Sequence, residues 1–182
     1  ILHESFSKDL SNWEIEKLPA DSEVVAIQNG KLLLNTYSGA TVWYKQPLTG
    51  NYSIKLKRTI LLNSEKNDRL SDCNFFWMAT DSLQNKMFQR KGGFKEYDSL
   101  SMYYVGFGGN YNTTTRFRKY TTKGDKNIIA EYKDTAHLLV ANKTYEIEII
   151  VKNGLIAFLV DGKIFFQYND LQPLNFGYFG IR

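Results

Sequence analysis

The chain has 182 residues, of which 43% are hydrophobic and 15% aromatic, and its formal net charge is +4 at neutral pH. This size and composition are typical of a globular protein that buries a sizeable core, and we predict a single domain over residues 1–182. Because Cys73 is the one cysteine, an intrachain disulfide is excluded. The chain has two histidines, His3 and His137, which argues against a metal site of clustered imidazoles. No apolar run is long enough to cross a membrane as a helix.

Short strand-like runs separated by turns fill the first part of the chain. Residues 23–28 and 31–35 flank Asn29-Gly30, a dipeptide typical of a two-residue hairpin turn. Residues 52–60 alternate polar and apolar side chains, which predicts a strand with one wet face.

The most apolar stretch is residues 72–80 (DCNFFWMAT), which we predict to be a central strand buried on both faces. Alternation places Trp77 on the same face as Cys73, toward the core, and places Asp72, Asn74, Phe76 and Met78 on the opposite face, which is the better ligand face. A long basic excursion follows over residues 82–97, with a short helix predicted at residues 81–88.

Two strand-like runs within residues 103–120 are joined by a loop, residues 108–112, with two glycines and two asparagines. The second run places Arg116 and Arg118 on one face. A guanidinium facing a core needs a partner, whereas the same fork suits an anionic or hydroxyl-rich ligand. Two interpretations are therefore open: the arginines are solvated or pair with Asp68 and Asp72, or they bind a ligand.

The last third of the chain predicts a meander of three strands, residues 144–152, 155–160 and 163–168, joined by Asn-Gly and Asp-Gly turns. Residues 176–182 then form a closing strand. Many short strands at this spacing, without a long helical pattern, predict an all-β jelly-roll β-sandwich of two antiparallel sheets.

Positive charge is concentrated in residues 86–126, which hold nine Lys or Arg against three acidic residues. Such a basic field favours an anionic partner. Nucleic acid is not predicted, because the sequence has no recognition helix and no nucleic-acid-binding motif. An acidic polysaccharide fits the charge equally well.

Several motifs resemble the concanavalin A-like lectin/glucanase superfamily: the opening from Phe6 to Trp13, Gly30-Lys31-Leu32, Gly50-x-Tyr52-x-Ile54 and the late Asp161-Gly162-Lys163 turn. More narrowly, residues 68–81 (DRLSDCNFFWMATD) and 103–118 (YYVGFGGNYNTTTRFR) resemble an uncharacterised bacterial jelly-roll family, a domain of unknown function. The resemblance implies two bent antiparallel sheets, a ligand on the concave face, and an extracytoplasmic protein that accompanies polysaccharide-degrading systems.

Three kinds of chemistry remain open. A retaining glycosidase of this fold resembles a strand bearing Glu-x-Asp-x-x-Glu, which this sequence lacks, and Asp68, Asp72 and Asp81 are the nearest substitutes. A polysaccharide lyase needs three groups: one that neutralises the uronate carboxylate, a base and an acid. Arg116, Tyr103 and Tyr104 are available for these roles. Binding of a sugar without catalysis requires the least.

We therefore predict a protein that engages an acidic polysaccharide or oligosaccharide, with a lyase as the alternative and a hydrolase less favoured. The catalytic candidates are Asp72, Tyr103, Tyr104 and Arg116. The predicted ligand-binding residues are Asp68, Arg69, Asp72, Asn74, Asn110, Asn112, Arg116 and Arg118. No cofactor is predicted: calcium occurs in some jelly rolls, but the sequence has no dense Asp/Asn loop of that type.

Overall fold

The computed structural model describes residues 2–19, 24–83, 86–122 and 124–182. The strands are β1 (Trp13–Lys17), β2 (Val24–Gln28), β3 (Lys31–Asn35), β4 (Ala40–Tyr44), β5 (Leu48–Thr49), β6 (Tyr52–Thr59), β7 (Cys73–Thr80), β8 (Ser101–Gly108), β9 (Thr114–Tyr120), β10 (Lys126–Tyr132), β11 (Thr144–Lys152), β12 (Leu155–Val160), β13 (Lys163–Asn169) and β14 (Phe176–Ile181). Two 3₁₀ turns, Phe94–Ser99 and Thr135–His137, and a short turn at Gly109–Asn112 complete the elements.

The strands form two main antiparallel sheets, which confirms the predicted all-β sandwich. The larger sheet has the order β1-β4-β14-β7-β8-β9-β10, with β5 beside β14, and the smaller sheet has the order β13-β12-β11-β6. The hairpin β2–β3 forms around Asn29-Gly30 as predicted, although residue 23 of the predicted strand lies outside the described residues. The meander β11–β12–β13 is likewise confirmed.

The predicted helix at residues 81–88 is not seen in the part of that segment that the structure describes, which excludes residues 84 and 85. Residues 81–83 and 86–88 form turns and irregular backbone instead. The regular element of this excursion is the 3₁₀ turn Phe94–Ser99, where the Glu96 side chain accepts the Gly93 and Lys91 amides. Local backbone capping, rather than an apolar helical stripe, organises the segment.

The hydrophobic core lies between the two sheets, where alternate side chains of each strand meet. Strand β11 shows the pattern most clearly, because Tyr145, Ile147, Ile149 and Val151 are buried while their neighbours face outward. Facing them from the larger sheet are Cys73, Phe75, Trp77, Val105, Phe107 and Phe117. Burial of each large side chain stabilises the fold by about 1.5–3 kcal/mol.

Strand β7 is buried on both faces, as predicted, but its alternation breaks at Met78. The backbone of Met78 has φ 52°, and the pairing of β7 with both β8 and β14 shifts register there. Met78 consequently joins the inter-sheet core with Trp77. The prediction that Met78 shares a face with Asn74 and Phe76 is therefore wrong, and the cause is this β-bulge.

The outer face of the larger sheet, turned away from the smaller sheet, is partly covered by residues 86–100, which we call the strap. Tyr97 and Leu100 of the strap are buried against the outward-facing side chains of the sheet. These side chains, which form a second apolar cluster, are Trp43, Phe76, Ala79, Met102, Tyr104 and Tyr120. The strap thus explains why β7 has no wet face.

A buried ion pair fastens the loop after β13 to the larger sheet. Tyr103 Oη and Lys119 Nζ each donate to Asp170 Oδ2 over 2.6 Å, and the Asp170 side chain is only 3% exposed. Burial acts to raise the pKa of Asp170, but the hydrogen bonds from Lys119, Tyr103 and the Gln172 amide outweigh it and hold the pKa below its ordinary value.

Asp170→Asn should lower the free energy of unfolding by about 3 kcal/mol at neutral pH, because it leaves the Lys119 ammonium without its carboxylate. A carboxyl whose pKa is depressed by folding contributes stability above its unfolded pKa of about 3.9 and loses it as the pH falls through the folded value. In urea unfolding, the difference between variant and parent should therefore shrink on acidification below about pH 4. A constant difference would contradict an ionised Asp170.

Candidate functional site

A row of polar side chains crosses the outer face of the larger sheet at the edge of the strap. Strand register places these residues side by side, because each is the cross-strand partner of the next. From β1 to β10 this polar row contains Glu16, Thr41, Arg182, Asn74, Gly106, Arg116 and Glu131. The candidate site lies around the middle of this polar row, at Asn74 and Gly106.

Asn74, Tyr104 and Gly106 form the floor of the site. Tyr104 Oη donates to Asn74 Oδ1 over 3.1 Å, and the two residues are 7% and 2% exposed. Gly106 makes room for this phenol, since a Cβ at residue 106 would lie 2.4 Å from Tyr104 Oη. Burial, with smaller contributions from Tyr120 and Asp72, raises the pKa of Tyr104, so the phenol stays protonated at neutral pH and acts as a donor.

Arg116 and Arg118 stand beside this floor on β9. Arg116 Nε donates to Glu131 Oε2, and Lys133 Nζ lies 3.0 Å from Glu131 Oε1. The hydrogen bond from Arg116 and, to a smaller extent, the one from Lys133 hold the pKa of Glu131 below its ordinary value. Arg118 pairs with no carboxylate in the described part of the chain, and its buried Nε makes no hydrogen bond there. Arg118 is thus the cation of this group whose charge is not neutralised by an acid.

The interpretation that Arg116 and Arg118 pair with Asp68 and Asp72 is wrong. Asp72 Oδ2 accepts from Arg69 Nη2 over 2.5 Å and from Ser71 Oγ over 2.9 Å. Asp68 instead accepts the backbone amides of Asn63 and Glu65 and closes a polar loop.

Arg182 forms the wall of the site on the strap side. Its guanidinium donates to Thr41 Oγ1 over 3.2 Å and to the Gly92 carbonyl over 2.7 Å, and it lies 5.4 Å from the centroid of the Phe94 ring. Burial lowers the pKa of Arg182, although an arginine in a protein stays protonated.

The turn from Gly108 to Asn112 forms the rim and has a left-handed backbone. Asn110, Tyr111 and Asn112 have φ values of 52°, 57° and 58°. For a side chain such as that of Tyr111 this conformation costs about 1–2 kcal/mol. The turn is held by Ser71 Oγ, which accepts the Tyr111 amide over 3.1 Å, and by Asn112, which exchanges two hydrogen bonds with the Leu139 backbone.

This strained turn presents Tyr111 to solvent, where it is 80% exposed. The Arg69 guanidinium carbon lies 5.8 Å from the Tyr111 ring centroid and supports the ring from one side. An exposed aromatic ring held by a costly backbone conformation indicates a functional role for the ring rather than a packing role.

Together these residues line one part of a broad surface depression that continues toward β6 and the β2–β3 hairpin, and we call this part the pit. Its residues are Asn74, Tyr104 and Gly106 on the floor, Arg116, Arg118, Arg182 and Phe94 in the walls, and Arg69, Asp72, Asn110 and Tyr111 at the rim. The described acidic side chains of the pit and its border, Asp72 and Glu131, are each bound to an arginine, so four arginines face two carboxylates.

Several residues proposed from the sequence lie elsewhere. Tyr103 points into the inter-sheet core and binds Asp170, on the opposite face from Tyr104. The side chain of Asn112 is committed to Leu139, and Asp81 forms a buried pair with Arg90. His137, which the sequence did not place in the site, stacks on Tyr132 at 3.8 Å between ring centroids.

The positive charge of residues 86–126 is also partly neutralised within the fold. Arg90 pairs with Asp81, Lys119 with Asp170 and Lys126 with Asp98, whereas residue 123 lies outside the described residues. Lys86, Lys91 and Lys95 of the strap and Arg118 of the pit form no ion pair among the described residues, so they contribute to the field that an approaching ligand meets.

Sequence reasoning missed Gly106, Tyr111, Glu131 and Arg182 as parts of the site. Tyr111 had a local signal, because an aromatic residue stood between two asparagines in a glycine-rich loop. Glu131 and Arg182 reach the pit only through the pairing of β10 with β9 and of β14 with β7.

Within residues 2–19, 24–83, 86–122 and 124–182, no three His, Cys, Asp or Glu side chains come together as metal ligands, and no helix is long and apolar enough to cross a membrane. Calcium can also be bound by carbonyl and amide oxygens, so the statement about calcium stays a prediction.

The model of the family DUF6250, described as a domain of unknown function, matches residues 34–182 of this chain. No curated protein matches the chain in sequence.

Three solved structures of similar shape agree with the predicted fold. A protein of unknown function with a galectin-like fold from Bacillus subtilis has a TM-score of 0.76 and 17% identity, covering 98% of this chain and 86% of that one. The carbohydrate binding module CBM66 from Bacillus subtilis has a TM-score of 0.61 and 13% identity, covering 93% and 86%. A prokaryotic beta-1,3-1,4-glucanase (lichenase) from a mouse hindgut metagenome has a TM-score of 0.61 and 16% identity, covering 98% and 82%. The jelly-roll prediction is confirmed.

Gly106→Ala should lower the free energy of unfolding by about 1–3 kcal/mol, because the added methyl group would overlap the Tyr104 hydroxyl in a buried position. In a Tyr104→Phe background the same substitution should cost less, since the nearest clashing atom is absent. Urea unfolding of the parent, both single variants and the double variant measures this coupling. Equal costs in the two backgrounds would mean that the Tyr104 hydroxyl does not occupy the space above Gly106.

Proposed function

The chain belongs to the DUF6250 family, a family of domains of unknown function, and we propose that it binds an acidic polysaccharide or oligosaccharide in the pit. The observation that carries the proposal is Arg118, whose guanidinium borders the pit with a buried Nε and without a carboxylate partner among the described residues. Arg118 is partly buried, and a partly buried cation without a counter-ion is unfavourable, so a carboxylate from a ligand would relieve that cost.

The chemistry of the floor suits a sugar acid. Asn74 and the protonated phenol of Tyr104 offer amide and hydroxyl groups for directional hydrogen bonds, while Arg116 and Arg118 offer forks that match a carboxylate. At the rim, the face of Tyr111 is available to stack against the apolar face of a sugar ring. Two of the similar folds are named as a carbohydrate binding module and a glucanase, which supports a carbohydrate as the ligand class.

The ion pairs of the carboxylates near the pit favour binding without hydrolysis. Paired-carboxylate hydrolysis needs one free carboxylate and one protonated carboxyl across the scissile bond. Here Asp72 is bound to Arg69 and Glu131 to Arg116 and Lys133. Extracytoplasmic location, where such glycans occur, is part of the same proposal.

A polysaccharide lyase is the second candidate, and the hydrogen-bonded pair of Tyr104 and Asn74 beside Arg118 favours it. Asn74 and Arg118 would neutralise the uronate, and the protonated Tyr104 would donate to the leaving oxygen. The base would have to be found elsewhere, because the raised pKa of Tyr104 opposes a phenolate and Tyr103 lies in the core. A rise in ultraviolet absorbance from an unsaturated uronide would establish this candidate.

Arg118→Gln should weaken binding of a linear uronate polymer at least tenfold, about 1.4 kcal/mol, with little change in melting temperature. The matched control is Lys163→Gln, which removes the same charge at an exposed position in β13. Binding by the parent should weaken with added salt, and this dependence should be smaller in Arg118→Gln.

A second control acts on the ligand. The same polymer with its carboxyl groups reduced to alcohols should bind the parent protein no better than the intact polymer binds Arg118→Gln. Tight binding of the carboxyl-reduced polymer by the parent, or an unchanged affinity in Arg118→Gln, would contradict recognition of an acidic sugar by this arginine.

Tyr111→Ala should weaken binding about tenfold while Tyr111→Phe keeps most of the affinity, because stacking needs the ring and not the hydroxyl. Neither substitution should reduce stability by more than about 0.5 kcal/mol, since the side chain is exposed. Calorimetric titration with a uronate oligomer measures both variants. Full affinity in Tyr111→Ala would show that the left-handed turn does not serve to present the Tyr111 ring to the ligand.

A further inference from the structure

The strap closes the pit on one side, and from this we infer that the protein binds the end of an acidic glycan chain rather than an internal stretch. This inference rests on the proposed function, whose site it deepens by naming the part of the glycan that is recognised. A polymer can be bound along its length only if it can lie across the outer face of the larger sheet.

The strap fills the aromatic part of that face. The Phe94 ring lies 5.9 Å from the Tyr104 ring and 6.5 Å from the Phe76 ring, between ring centroids. The Tyr97 ring lies 5.8 Å from Phe76 and 5.9 Å from Trp43. Because these rings are packed across β4, β7 and β8, no groove for a sugar chain continues there.

The strap also covers the β1 end of the polar row. A Cβ on Gly92 would lie 2.7 Å from the Lys17 Cα and 2.8 Å from the Glu16 carbonyl oxygen, so the strap backbone is in direct contact with β1. Glu16, which is 3% exposed, accepts from the Trp43 indole over 2.7 Å and from the Arg90 amide over 2.7 Å. The row is thus accessible only from Arg182 onward.

Buried charges hold the strap in place. Arg90 and Asp81 form an ion pair with 8% and 1% of their side chains exposed, and the Arg90 Nε donates to the Glu96 carbonyl over 2.8 Å. Arg182 donates to the Gly92 carbonyl from the sheet side. Breaking such a buried pair would leave a buried charge without its partner, so the strap acts as a fixed wall that a ligand does not easily displace.

The remaining borders leave an opening beside the left-handed turn. At the β10 border, Glu131 is held between Arg116 and Lys133. On the side of the turn, the exposed Tyr111 and the half-exposed Arg69 leave the pit open to solvent. A glycan that enters past Tyr111 would meet the Asn74–Tyr104 floor and Arg118 and then the strap, where the Phe94 ring lies against Tyr104 and Arg182 holds the Gly92 carbonyl. The terminal sugar acid would occupy the floor, and the next sugars would lie over Tyr111.

The test compares chains of different length. Linear uronate polymers of three kinds (polygalacturonate, alginate and hyaluronan) are separated into narrow size fractions, from polymer to short oligomers. Titration calorimetry gives the affinity and stoichiometry for each fraction, and light scattering with excess protein gives the number of protein molecules on each glycan chain.

End recognition predicts one protein molecule on each chain, whatever the length of the chain, and an affinity per chain that is constant from oligomer to polymer. Arg118→Gln should abolish this one-to-one binding, whereas Lys163→Gln should keep it. One-to-one binding that survives in Arg118→Gln would overturn the inference, because the chain end would then be held outside the pit.

Stoichiometry that grows with chain length would overturn end recognition but leave the proposed function intact, since internal uronates would then be bound. Absence of binding to every fraction of all three polymers would overturn the proposed function and the inference together. The two failures are therefore distinguishable.

Discussion

The pairing of Asn74 with Arg182 is the interaction on which the rest of the site depends. Each residue donates its amide to the carbonyl of the other over 3.0 Å, which places β14 beside the central strand β7. Arg58, from the smaller sheet, donates to the carbonyls of both residues over 3.1 and 2.6 Å. One guanidinium therefore ties the two sheets together directly behind the floor of the pit. Because Arg182 is fixed at this junction, its own guanidinium reaches the strap, and the strap in turn covers the aromatic face of the larger sheet.

The distribution of charge follows from this arrangement. A sandwich of this kind buries its aromatic side chains easily, but ionic side chains in its interior need partners. The described acids close to the arginines are used as such partners: Asp81 for Arg90, Asp72 for Arg69 and Glu131 for Arg116. Arg182 is held by Thr41 and the Gly92 carbonyl instead, whereas Arg118 has no carboxylate partner among the described residues and lies where the floor is lined by a phenol and an amide. Register places Arg118 opposite Tyr104 and therefore beside the strap, and the open side at Tyr111 is the route by which an external anion can reach it.

Sequence patterns predicted the local features of this fold well. Asn-Gly and Asp-Gly turns placed the hairpins, and alternation placed Trp77 and Cys73 in the core. Alternation failed at Met78, because a bulge depends on the neighbouring strands rather than on the residue itself. In the site, Asn74, Tyr104, Arg116 and Arg118 could be found because they share strand faces in two adjacent motifs. Glu131 and Arg182 could not, since their positions follow from strand register between distant segments. The sequence did not distinguish Tyr103, which lies in the core, from Tyr104, which lies in the site, because it does not show which face of β8 meets the smaller sheet.

The cations that line the pit are all guanidinium groups, and this has a consequence for the conditions under which such a site works. Guanidinium groups remain protonated throughout the physiological range. The cations that line the pit therefore carry the same charge in a neutral fluid and in an acidic one. Any response of binding to acidity would come from carboxyl groups, including those of the glycan, rather than from these cations.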